Sequence, residues 1–416
     1  MLLICCLTLP LAGSDCRLNV IPSEGEGEGE GEGEGEGEGE GEGEGEPQAR
    51  LLTAGDWDDN LNFDVFQEYV SGYLGGLQTA AELYSADRIV ITILDDTGVP
   101  LPNALVTVFD DEQQEYVSAP TSTAGRLLFF PEYDGAEGVD SFDVTVDPPE
   151  GQSELDSVTV QELTPDEDWT ITLTDSEAVL PTALDLTFVV DATGSMSDEM
   201  EYLQAEIEGI ADEVENLYEE VSLRFALIVY RDIGDAYVVR EFDFTAEINE
   251  FLDDLSDQRA TGGGDYPEAM EQAMESMNEL SWRSGNVARV CFLVADAPPH
   301  SANAVAFVEE ANLARMQGIK VYPVAASGVA DEAEYLMRIA AMATLSRYIF
   351  ITDDSGIGGS HAEPHIPCFN VQYLSNVMAQ VILSELSGAR VEPEQDDIIR
   401  TVGNPVDGVC MPEDQQ

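Results

Sequence analysis

Apolar residues are spaced in two different ways along this chain. Between Asp87 and Asp175 they fall in short runs, "RIVITIL", "ALVTVF", "RLLFF", "SFDVTV" and "WTITLT", parted by the turn signals "DDTG", "TAG" and "DPPEG". Short strands with turns between them and no helical period predict an all-β sandwich over 87–176. From 180 to 388 most of the runs are continuous instead: "LDLTFVV", "LRFALIVY", "YVVREFDF", "RVCFLVA", "IKVYPVA" and "RYIFI". Strands covered on both faces read this way. Amphipathic segments such as "PEAMEQAMESMNEL" and "NAVAFVEEANLARMQ" lie between them, so this part is expected to be α/β, a doubly wound, mostly parallel sheet. Such sheets bind ligands beyond the carboxyl ends of their strands, where the strand order reverses.

The flanking segments carry other patterns. Residues 51–86 place aromatic and apolar residues at helical spacing, as in "FDVFQEYVSGYLGGL", and predict a short helical adapter. Residues 16–50 are a low-complexity linker in which 12 glutamates alternate with glycine from Glu24 to Glu46. Glycine resists ordering and repeated glutamate extends the chain by self-repulsion, so the linker reads as a spacer. The first residues, "MLLICCLTLPLAG", form an apolar run followed by small residues. It resembles a signal peptide over 1–15 and is too short to span a bilayer. The expectation is bacterial export, to the extracellular space or the cell surface. Cys16 is the candidate for a lipid anchor in the membrane, with plain cleavage near Ser14 as the alternative. Residues 389–416 read as a C-terminal tail.

Charge narrows the partners. The chain of 416 residues has 84 Asp plus Glu against 16 Lys plus Arg, a net charge of −68. Such a surface repels nucleic acid and anionic lipid and attracts cations.

The chemistry concentrates where apolar strands end. "DATGSMSDEM" follows "LDLTFVV" directly and crowds Asp191, Thr193 and Ser195 into one turn. One carboxylate with neutral hydroxyls suits a hard cation that prefers oxygen, such as Mg²⁺, Mn²⁺ or Ca²⁺. A helix start explains Ser197, with Asp198 and Glu199 in the first turn, but not Asp191 and Thr193. Asp296 ends "RVCFLVAD" as Asp191 ends its own strand. In "ATGGGDYPEAM" three glycines precede Asp265, which with Pro267 and Glu268 also reads as a helix capping box.

The ordered set "DATGS", "TGGGDYPE" and "VADAPPH" resembles the von Willebrand factor type A family, in its bacterial extracellular branch, over roughly residues 182–388. The preceding "DDTGVPLPNALVTVFD" and "TSTAGRLLFF" resemble the sandwich modules of the carboxypeptidase-regulatory or transthyretin-like kind. The first resemblance implies a metal-ion-dependent adhesion site built from three loops. Asp191, Thr193 and Ser195 match the family's DxSxS loop, with threonine for the first serine, and Asp296 matches the aspartate of the fourth-strand loop. Asp265 stands where many members have threonine; Thr261 is a secondary candidate, and Glu268 resembles a glutamate that contributes in some members. The implied function is a binding module, whose divalent cation accepts a carboxylate from a protein partner. The alternatives are an acidic structural surface protein with a purely stabilising metal, or a metal-dependent hydrolase.

The remaining reactive residues favour binding over catalysis. "HAEPH" sets His361 and His365 at the spacing of a zinc helix, but Pro364 breaks that helix, so an exposed loop is expected. His300 follows Asp296 closely and reads as part of the site's rim. Ser195 has no evident base, and no nucleophile elbow occurs. In an exported chain Cys368 and Cys410, both in loop-like sequence, are candidates for a disulfide, and Cys291 for a buried thiol.

Overall fold

The computed structural model of the chain describes residues 49–74, 88–217, 221–264 and 266–411. The signal peptide, Cys16 and nearly all of the Glu-Gly linker lie outside the described residues, as does Asp265.

Strand β1 (Thr53–Trp57) and helix α1 (Phe63–Leu74) come first. Seven short strands follow: β2 (Ile89–Leu94), β3 (Leu105–Phe109), β4 (Glu115–Pro120), β5 (Arg126–Phe129), β6 (Phe142–Asp147), β7 (Val158–Leu163) and β8 (Trp169–Thr172). They form one sheet ordered β5-β2-β8 and another ordered β4-β3-β6-β7. In β2 and β6 buried and half-buried residues alternate, as the pleat requires. Their inward residues meet in a core that includes Ile91, Val106, Phe129, Phe142, Val144 and Trp169.

The second part continues with β9 (Ala183–Asp191), α2 (Met200–Leu217), β10 (Ser222–Tyr230), β11 (Val239–Thr245), α3 (Ile248–Ser256), α4 (Met270–Glu279), β12 (Val287–Ala295), α5 (Ala304–Met316), β13 (Lys320–Ala325), α6 (Asp331–Ala343), β14 (Tyr348–Thr352), β15 (Phe369–Tyr373), α7 (Leu374–Ser387) and β16 (Arg400–Val402). One sheet runs β11-β10-β9-β12-β13-β14-β1-β15-β16. β10, β9, β12, β13 and β14 are parallel, while β11, β1 and β16 pair antiparallel with their neighbours. Helices α4, α5 and α6 bury one face of the sheet and α2, α3 and α7 the other. The fold class is the expected one, a doubly wound α/β sheet preceded by a small sandwich.

Two segments differ from the sequence reading. Residues 51–86 contain more than a helical adapter: β1 lies inside the sheet, between β14 and β15 and antiparallel to both. Its sequence "TAGDW" has little apolar signal of its own, and its burial is imposed by strands some 300 positions away, with Thr53 opposite Thr352. The segment 389–416 supplies β16 and the hairpin strands β17 (Pro405–Val406) and β18 (Val409–Cys410). Cys410 is bonded to Cys368, with Cα atoms 5.8 Å apart, and Cys291 is free and buried. The sandwich is braced on the sheet domain by a buried pair, Asp134 with Arg315, and by a 2.8 Å hydrogen bond from Thr123 to Glu385 of α7.

Candidate metal centre

The chain leaves β9 to one side, through α2 to β10, and returns on the other side as β12. The strand order therefore reverses at β9 and β12, which pair in parallel up to Val190 opposite Val294. Asp191 is the last residue of β9, and Asp296 follows the last residue of β12. Parallel register alone thus brings two aspartates to adjacent strand ends at the switch point.

Both are buried, Asp191 at 0 % exposure and Asp296 at 3 %. Asp191 Oδ1 accepts hydrogen bonds from the Thr193 N–H at 2.8 Å and the Thr193 hydroxyl at 2.6 Å. Its Oδ2 is buried and, among the described residues, meets no donor in hydrogen-bond geometry, the nearby Tyr230 hydroxyl included. Burial, and next the charge of Asp296, push the Asp191 carboxyl up to about 7. The Thr193 hydroxyl lies 3.1 Å from that of Ser195, which is exposed. The arrangement is a buried acidic floor with a hydroxyl at its mouth.

The glycine-rich loop closes one side. The Thr261 N–H bonds Ala192 O at 3.0 Å, and the Gly194 N–H bonds Gly262 O at 3.0 Å. Arg231 joins the same two loops, donating to Ala192 O at 3.0 Å and Arg259 O at 2.8 Å. Gly263 has φ +69°, and a Cβ there would lie 2.8 Å from Glu268 Oε1 and 3.2 Å from Thr193 Cβ. A side chain there would strain the left-handed backbone and push the Glu268 carboxylate aside, so glycine is favoured. Glu268 lies next to the floor, 2 % exposed, and its Oε2 has no hydrogen-bond partner among the described residues. Burial and then the charges of Asp191, Asp232, Asp296 and Asp235 raise its carboxyl to about 9.

Residues 185–359 match the family model described as von Willebrand factor type A domain. This stretch of the chain is a von Willebrand factor type A domain. Over 118 residues the chain is 33 % identical to the alpha-protein kinase vwkA of Dictyostelium discoideum, covering 28 % of this chain and 19 % of that protein. Over 128 residues it is 30 % identical to the putative ariadne-like RING finger protein R811 of Acanthamoeba polyphaga mimivirus, covering 30 % of this chain and 12 % of that one. The chain thus spans less than a fifth of the length of these curated relatives. Among solved structures it is similar to the conserved hypothetical protein BatB from Bacteroides thetaiotaomicron, at TM-score 0.36 and 13 % identity over 49 % of this chain and 98 % of that one. It is also similar to the pilus adhesin SpaC from Lactobacillus rhamnosus GG in its open conformation, at TM-score 0.32 and 12 % identity over 48 % and 28 %.

In the A domain the site's donors are oxygen atoms throughout. Among the described residues no three His, Cys, Asp or Glu side chains converge on one point; the set that does assemble is two carboxylates with two hydroxyls. A crowded, buried acidic floor with unbonded oxygens on Asp191 and Glu268 fits a hard divalent cation. Thr261 is exposed, and its N–H joins the glycine-rich loop to Ala192, the residue after Asp191.

Several local readings are corrected. Helix α2 begins at Met200, and Ser197 lies within a 3₁₀ turn, Gly194–Asp198. Helix α4 begins at Met270, and Glu268 pairs instead with the β12–α5 loop, its N–H bonding Pro298 O at 3.0 Å. Glu268 therefore closes no capping box. The loop of "HAEPH" is exposed at most positions, His365 included, but the His361 ring within it is buried and lies between the carboxylates of Glu199 and Asp353. Sequence reasoning also missed Asp232, which lies 2.7 Å from the His300 ring, and Asp235, which accepts the Gly263 N–H at 2.8 Å. Both sit in the β10–β11 loop, where no strand-end pattern singles them out.

Proposed function

We propose that the A domain holds one divalent cation, Mg²⁺, Ca²⁺ or Mn²⁺, at Asp191, Thr193, Ser195 and Asp296, with Asp265 adding a third carboxylate. The domain uses it to bind a protein partner. The observation that carries this reading is Asp191: fully buried, next to a second carboxylate, with no guanidinium or ammonium on it among the described residues. A buried carboxylate needs a counter-charge, and removing one from water without it is costly. When bound, the ion supplies an electrophilic point that a partner's carboxylate can complete, since neutral hydroxyls give it little charge. Ser195 meets Thr193 and no imidazole, which supports binding over nucleophilic catalysis.

The apolar N-terminal run, the Glu-Gly spacer and the sandwich, read as a carboxypeptidase-regulatory or transthyretin-like module, support display at a bacterial surface, with Cys16 as a lipid anchor. The test is capture of surface proteins on the immobilised full chain, with Mg²⁺ or with EDTA, and with Asp191→Ala as control. A partner retained in Mg²⁺ and lost in both EDTA and the variant is expected. A partner that stays bound in EDTA and on the variant overturns the reading. Metal binding without any metal-dependent partner leaves a structural cation instead.

A further inference from the structure

The loop 353–368 joins β14 to β15 and carries the buried His361, which is 7 % exposed. Its Nδ1 lies 2.8 Å from Asp353 Oδ1, and its Nε2 lies 2.8 Å from Glu199 Oε1. A neutral imidazole has one N–H and turns a lone pair toward its other neighbour. Bonding two ionised carboxylates takes a proton on each nitrogen, so this geometry belongs to an imidazolium.

Glu199 is the joint of three loops. It is 0 % exposed, and its two oxygens accept the Ser327 N–H at 3.2 and 3.3 Å. Its own N–H bonds Met196 O at 3.2 Å, and the Met196 N–H bonds Thr193 O at 3.3 Å, which closes the turn carrying Ser195. After Ser327, Gly328 O and the Ala330 N–H meet the Tyr266 hydroxyl at 3.1 and 2.8 Å, and that hydroxyl reaches Asp296 O at 3.2 Å. The 353–361 loop passes directly over the Glu199 carboxylate at Gly358, whose φ is +80° and whose Cβ, if it had one, would collide with Oε1.

We propose that His361, protonated on both nitrogens, is a positioning residue of the metal centre: it clamps the 353–361 loop onto Glu199 and so fixes the Thr193–Ser195 turn relative to the loop that carries Asp296. The clamp stands on these contacts; its effect on a cation rests on the metal reading above. The charged groups facing the ring are Glu199 from the α2 side and Asp353 from the end of β14. Farther along the loop Arg400 of β16 bonds Asp354 at 3.0 Å and lies 3.6 Å from Glu363, and His365 bonds Glu334 of α6 at 2.8 Å. Burial opposes the ring's charge, but the bonds to Glu199 and Asp353 outweigh it and raise its pKa above the ordinary value. A raised histidine stabilises the fold at low pH and loses that contribution as pH rises through its folded pKa. The clamp therefore holds below the ring's raised folded pKa and releases as pH climbs past it.

The full chain in EDTA gives the first test, because it has three histidines to assign. Imidazole nitrogen NMR at about pH 6.5 is expected to show both nitrogens of His361 protonated; a neutral tautomer there overturns the proposal. Hydrogen exchange in 354–362 and 196–200, corrected for intrinsic rates, is expected to accelerate about tenfold or more as the ring deprotonates. The acceleration should be absent in His361→Gln, whose amide donates to one carboxylate only; a step of equal size in the variant overturns it. If the variant does not fold, the wild-type ring spectrum decides alone. Mg²⁺ titration separates the two readings. Affinity weakened about fivefold in His361→Gln upholds the positioning role, and equal affinity overturns it while leaving the metal reading intact. A wild type that binds no Mg²⁺ overturns the metal reading itself.

Discussion

Strand β9 carries a buried aspartate near each end, and the chain treats them in opposite ways. Asp185 and Asp191 are both at 0 % exposure, six positions apart. Asp185 is gripped by Arg224, at 2.6 Å, and by Arg283, at 2.7 Å. Asp191 has Thr193 as donor and Asp296 as neighbour. Arginine is scarce in this chain, with 16 Lys plus Arg in all; two go to Asp185, and among the described residues none meets Asp191. A buried acid that holds the fold is neutralised by the fold. One left beside another acid, under a layer of hydroxyls, is the group that the proposed cation would neutralise.

The largest effect expected from this contrast is on stability. Asp185→Asn leaves two guanidinium groups without their carboxylate and is predicted to cost about 3 kcal/mol or more. Asp191→Asn relieves repulsion against Asp296 and is predicted to leave metal-free stability unchanged or higher at about pH 8. Thermal melts of the two variants in EDTA check both. Equal destabilisation would make Asp191 another structural acid and break the comparison.

A second, smaller effect is in pH dependence. Asp191, pushed up to about 7, and Glu268, pushed up to about 9, keep their protons when folded in a range where the unfolded chain has released them. The folded state then binds more protons than the unfolded, so metal-free stability falls as pH rises from the ordinary carboxylate range through about 9. A bound cation replaces those protons. Denaturation curves in EDTA should show the decline, saturating Mg²⁺ should flatten it, and metal affinity should weaken below about pH 7. A decline of equal slope with and without Mg²⁺ contradicts the assignment.

The smallest predicted effect concerns Asp265. A third carboxylate near the ion strengthens cation retention and favours Ca²⁺ over Mg²⁺, while it reduces the pull on a partner's carboxylate. Asp265→Thr should lose metal affinity, on the order of tenfold, and shift preference toward Mg²⁺. Titrations with each ion read this directly, and an unchanged affinity and preference removes Asp265 from the centre.

What could be read from the sequence follows from how local each signal is. Asp191 and Asp296 were legible because each ends a continuous apolar run, and parallel strands put their ends side by side. The core strands of the sheet were legible for the same reason. β1 was not, because "TAGDW" gains its place from β14 and β15 far along the chain. β7 was not, because none of its residues is fully buried and its short alternation breaks at a bulge after Val160. The Glu199–His361 bond joins residues 162 positions apart, and "HAEPH" reads as a loop with nothing local to show what covers it. Glu268 was visible as a candidate but also read as half of a capping box, because the helix starts four residues later than that box implies, at Met270.

The position of β1 also decides how the central claim is tested. A fragment starting near residue 180 would lack a strand from within the sheet, so calorimetry belongs on the full chain. Mg²⁺, Mn²⁺ and Ca²⁺ titrated into wild type should reveal one dominant site, and Asp191→Asn, folded by circular dichroism, should lose it. Equal binding by wild type and variant, with any of the three ions, would contradict the account.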